Sequence, residues 1–117
     1  MGMMVEVANA LARAVRHSIA YIHMPVPARS DDDYFRPLQR LALSPSTEIF
    51  LGLVHASDGA EGTRLRIEVA RKYVKEFGIA TECGIARART RRMIDDLLRI
   101  HVETSQEPLV TIPRTML

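Results

Sequence analysis

With a single cysteine in 117 residues, the chain has no internal disulfide framework, and that usage suits a reducing, cytoplasmic compartment. No apolar run approaches the ~20 residues of a membrane span. Internal repeats and low-complexity segments are absent as well. The start, Met1-Gly2-Met3-Met4, has no basic stretch followed by an apolar one, so no signal peptide is expected. A net charge of only +2 gives no strong global pull toward nucleic acid or a membrane surface. What is present is ordinary for one globular domain: 47% hydrophobic and 26% charged residues.

Periodicity divides the chain into alternating helices and strands. Over 3–17, Met4, Ala8, Leu11 and Val15 recur on one helical face. Over 18–24 the period changes to a compact apolar run ending near His23, and Pro25 and Pro27 are expected to end pairing there. The acidic run Asp31, Asp32, Asp33 caps a helix carrying Leu38 and Leu41, which stops before Ser44 and Pro45. Residues 49–54 are the most apolar run and predict a central parallel strand covered on both faces, with Gly52 marking close approach of another backbone. His55 follows, then a loop with Ser57, Asp58, Gly59 and Gly62 that lacks the dinucleotide-binding glycine spacing. Thr63 is expected to cap a helix in which Ile67, Ala70, Val74 and Phe77 share a face and the cations, Arg66 among them, form a solvated one.

The organising stretch comes next. Gly78 suits the position just past a helix end, Ile79, Ala80 and Thr81 read as a short buried strand, and Glu82, Cys83 and Gly84 form its polar exit. Four arginines follow between Arg87 and Arg92, with no aromatic residue among them to stack on bases. A last helix starts at Thr90 and carries Met93, Leu97 and Ile100; residues 106–117 read as an extended tail. The resulting order, α-β-α-β-α-β-α, predicts a three-stranded parallel sheet with about four helices. Parallel strands near 18–24, 49–54 and 79–83 then bring His23, His55 and Glu82-Cys83 to one rim.

The run ending in His55, the helix with Arg66 and Ile67, and Thr81-Glu82-Cys83-Gly84 together resemble the end of a (β/α)8 barrel. They are similar to the C-terminal barrel of cobalamin-independent methionine synthase, whose last strand ends in a P-D-C-G motif with a zinc-binding cysteine. The resemblance implies a partial TIM barrel over 1–105 and a zinc ligand at Cys83. It also implies a proton-donating catalytic role for His55; His23, Asp58 and Glu82, at or near the same strand ends, are the substrate-binding candidates. Zinc in such a site lowers the pKa of a substrate thiol and presents it as thiolate for methyl transfer. The family's His-x-Cys pair is missing, and His23 stands where a glutamate ligand is expected. Three of eight strands are present. The resemblance therefore implies a fragment or truncated relative, inactive alone, that takes a thiol or folate-like substrate and self-associates or pairs with a complementing chain. Zinc is expected only if the missing ligands are supplied. Two alternatives are a uroporphyrinogen decarboxylase-like barrel fragment, holding carboxylates through Arg87, Arg89 and Asp58, and a non-catalytic interaction module.

Overall fold

A computed structural model describes residues 1–105; the extended tail expected over 106–117 lies outside them. Three strands form one parallel sheet in the order of the chain: β1 (Tyr21–Pro25), β2 (Glu48–Val54) and β3 (Gly78–Thr81). Four α-helices accompany them: α1 (Gly2–Ala14), α2 (Asp32–Phe35), α3 (Gly59–Arg71) and α4 (Arg91–Ser105). The α/β class and the parallel arrangement are as the periodicity predicts. No helix among the described residues is long and apolar enough to cross a membrane.

Several boundaries differ from expectation, each for a local reason. α1 stops at Ala14, where Val15 turns extended and its N–H bonds to Leu11 O at 2.9 Å. β1 runs on through Pro25, opposite Gly52. An edge strand tolerates a residue without an N–H. Asp31 caps α2 as expected, accepting from Tyr34 N at 3.0 Å. The helix then tightens into a 3-10 turn, Arg36–Arg40, because Pro37 has no N–H to continue an α-helical ladder. Thr63 is not a cap. α3 begins four residues earlier, at Gly59, and the Thr63 hydroxyl donates to Gly59 O inside it. Nor is Gly78 a left-handed helix stop. α3 ends at Arg71, and Gly78 opens β3, where a Cβ would collide with the Phe50 ring on β2.

The core lies on one side of the sheet. Met24 and Val26, Leu51 and Leu53, and Ile79 share that side by alternation, and they pack against Val5 and Ala8 of α1, Phe35, Leu38, and Ile67 and Ala70 of α3. α4 lies beside α3 and adds Leu97 and Ile100 against Val54 and the same Ile79. The expectation that β2 is covered on both faces is therefore corrected. Right-handed crossovers that always step in one direction leave every helix on one face. On the other face Phe50 is half-buried and meets the exposed Tyr21 edge-on, with ring centres 6.0 Å apart.

Gly52 marks the middle of that second face. A Cβ there would stand 3.0 Å from Thr81 O on β3 and 3.2 Å from Pro25 Cα on β1. A side chain there would press on the backbone of both flanking strands, which is the close approach expected at Gly52.

Candidate functional site at the strand ends

His55 follows β2 directly, and its Nε2 lies 2.7 Å from Val26 O, just past the end of β1. His23 sits mid-strand on β1, opposite Phe50, yet its Nε2 reaches Thr81 O on β3 at 2.9 Å. That bond crosses β2 where Gly52 has no side chain. A carbonyl oxygen only accepts, so both rings donate from Nε2 and, when neutral, keep Nδ1 as an acceptor. The two histidines thus tie β1 to the loop after β2 and to the end of β3.

The most buried charged group among the described residues is one that the sequence reading placed on a solvated face. Arg66 lies on the inward side of α3 with Thr63, Ile67 and Ala70. Its Nε donates to Leu53 O at 2.8 Å and its Nη1 to Ala28 O at 2.9 Å. Nη1 and Nη2 also grip both oxygens of Asp58, at 2.5 and 2.8 Å. Such two-pronged pairing is the strongest geometry available to a guanidinium and a carboxylate. The hydrogen bond from Arg66, then its charge and that of nearby His55, hold the Asp58 carboxyl below its ordinary value against the opposing pull of desolvation. The loop glycines make this possible. Gly59 has a left-handed φ of 64°, and at Gly62 any Cβ would run into the Asp58 carboxylate. Asp58, Gly62 and Arg66 fall at i, i+4 and i+8, a spacing that was the available signal.

After β3, Glu82 Oε1 accepts from Arg89 Nη2 at 2.6 Å. Arg89 Nη1 donates to Gly84 O and Ile85 O at 2.7 and 2.9 Å, so this arginine folds under its own loop. Gly84 turns the chain with a φ of 75°. Cys83, between them, is exposed. For a polycarboxylate site, Asp58 and Arg89 have internal partners, and Arg87 is exposed on the loop.

The donor set for zinc is incomplete among the described residues. Among the described residues no three His, Cys, Asp or Glu side chains come together as a metal group. Glu82 is paired with Arg89, and both histidines direct Nε2 at backbone carbonyls. A structural or catalytic zinc takes three or four protein ligands, so these residues alone do not fit it.

The chain matches no protein-family model, no curated protein and no solved structure.

Proposed function

We propose that this chain is a three-strand section of a (β/α)8 barrel of the cobalamin-independent methionine synthase type. In this reading it is inactive by itself and contributes to methyl transfer to a thiol only with further strands. One observation supports the barrel part: the strands follow in chain order with the helices packed on one side of the sheet. Doubly wound sheets reverse their strand order and are covered on both faces, whereas a closed barrel keeps its helices outside. The likeness of Thr81-Glu82-Cys83-Gly84 to the family's last-strand motif supports the chemistry.

In this reading the bare face, with His23, Phe50 and Gly52, looks into the barrel. His55, with its Nε2 proton directed at Val26 O, takes and passes a proton through Nδ1. Cys83 and Glu82 stand at the mouth toward a small cytoplasmic substrate, a thiol or a folate-like molecule. Zinc enters only where other strands supply its remaining ligands, and no step here runs through it.

Co-expression with the first five strand-helix units of a methionine synthase barrel tests the proposal. The expected product is a complex holding one zinc, lost in Cys83→Ser, while the dialysed chain alone holds well below one. No complex, or a chelator-resistant stoichiometric zinc on the chain alone, overturns it.

A further inference from the structure

We propose that the free edge of β3 takes residues 109–112 of this chain as a fourth parallel strand. The sheet grows in chain order: β2 joins β1 and β3 joins β2, each parallel and each after a helical segment. β3 ends that order, so among the described residues no strand takes up the backbone groups along its outer side. α4 repeats the step. It lies beside α3 and packs Leu97 and Ile100 on Val54 and Ile79, as the returning arm of a crossover does. Its last two residues, Thr104 and Ser105, share a cleft with Phe77, Gly78 and Ile79, where β3 begins. The chain therefore leaves α4 at the end of the sheet from which a strand parallel to β3 would start.

The sequence beyond that point selects the occupant. Gln106, Glu107 and Pro108 give a connection of three residues, within the usual ~2–6 between a helix and the next strand. Leu109, Val110, Thr111 and Ile112 follow, outside the described residues, as an uncharged run in which three of the four side chains are β-branched. The run has the four-residue length of β3. Pro108 and Pro113 bracket it, and proline is tolerated at the ends of an edge strand; Pro25 stands on β1 at the opposite edge. Bracketed in this way, the run can pair with β3 while offering little to a further strand. A segment tethered three residues from the edge is present there at an effective concentration in the millimolar range, which favours it over the same segment of a second copy. Further barrel strands would need this edge too, so in the isolated chain the run holds their place. Its pairing rests on neither methyl transfer nor the barrel: complementation can fail while the fourth strand stands.

Amide hydrogen exchange of the full chain, read residue by residue by NMR, tests it. Alternate residues of an edge strand donate to its neighbour, so alternate amides within 109–112 should exchange about 100-fold more slowly than unpaired ones. The protection should persist on dilution, because the strand comes from the same chain. Val110→Pro and Thr111→Pro, at neighbouring positions, should differ in effect. The one whose N–H faces β3 should bring 109–112 to within about threefold of unpaired rates and quicken exchange at alternate β3 amides about tenfold. The other should leave both within about threefold of wild type. Unprotected amides throughout 109–112, protection that vanishes on dilution and so belongs to a second copy, or two proline variants of equal effect would each overturn the proposal.

Discussion

Two arginine–carboxylate pairs stand at the same end of the sheet, one after β2 and one after β3, and they do different work. Arg66 is 4% exposed and its partner Asp58 39%; Arg89 is 13% exposed and Glu82 51%. Arg66 reaches from α3 to the end of β2, to the loop after β1 and to the loop that carries Asp58. Among the described residues, Arg89 bonds within the stretch from Glu82 to itself. The first pair is a tertiary clamp that fixes three segments at the rim. The second shapes one loop. The difference lies in where each arginine is anchored: in the buried face of a helix, or in the loop that it closes.

Breaking the clamp is the largest expected effect. Arg66→Met leaves two backbone carbonyls without their donor and Asp58 without its counter-charge. It should cost about 3 kcal/mol in denaturant unfolding, since removing one partner of a buried pair is expensive even when the other partner reaches water. A loss under about 1 kcal/mol would mean that water replaces the guanidinium freely.

Gly62→Ala sharpens the comparison by steric means. Alanine is the better helix former by about 1 kcal/mol, but here its methyl displaces the Asp58 carboxylate, for a net loss of about 1 kcal/mol. Combined with Arg66→Met, the same change should turn neutral or stabilising, because the clamp that it disturbs is already gone. Equal effects in both backgrounds would show that Asp58 and Gly62 do not communicate.

Acid titrates the clamp. The Asp58 carboxyl is held below its ordinary value in the fold, so its contribution is complete above the unfolded-state pKa of about 3.9 and is lost as pH falls through the lower folded value. Wild-type stability should therefore fall more steeply below about pH 5 than that of Asp58→Asn. Parallel curves would remove Asp58 from the acid response.

The smallest effect belongs to the second pair. Arg89→Met should cost about 1 kcal/mol or less, and its change in hydrogen exchange should stay within the loop between β3 and α4. Spreading of that change to β1 would make the two pairs alike after all.

The alternation of apolar runs made the strands and their parallel order legible, because right-handed crossovers leave few alternatives for such a pattern. His23, expected at the strand end with His55 and Cys83, stands mid-strand instead. Close approach at Gly52 was legible too, since a glycine inside a very apolar strand has few other uses. Gly78 misled because a glycine after a helical pattern serves equally as a helix stop or as room for a ring on the next strand, and Phe50 is distant in sequence. Arg66 was hidden by its charge. Its burial depends on Asp58 and on carbonyls from two other segments, none visible from the helix alone. One-sided cover was hidden as well. Phe50 and Gly52 are apolar whether or not a helix lies above them.

The bond from His23 to Thr81 has a consequence for the order of assembly. Met24 pairs with Leu51 and Leu51 with Ile79, so the two strand pairings close loops of nearly equal length and face similar entropic costs. The histidine contact joins residues 58 apart in the chain and spans the strand between them. It closes only after both pairings are in place, late on the folding path. Removing it with His23→Ala should therefore quicken unfolding and leave the refolding rate nearly unchanged in stopped-flow measurements. The imidazole is a latch that registers when the third strand has arrived.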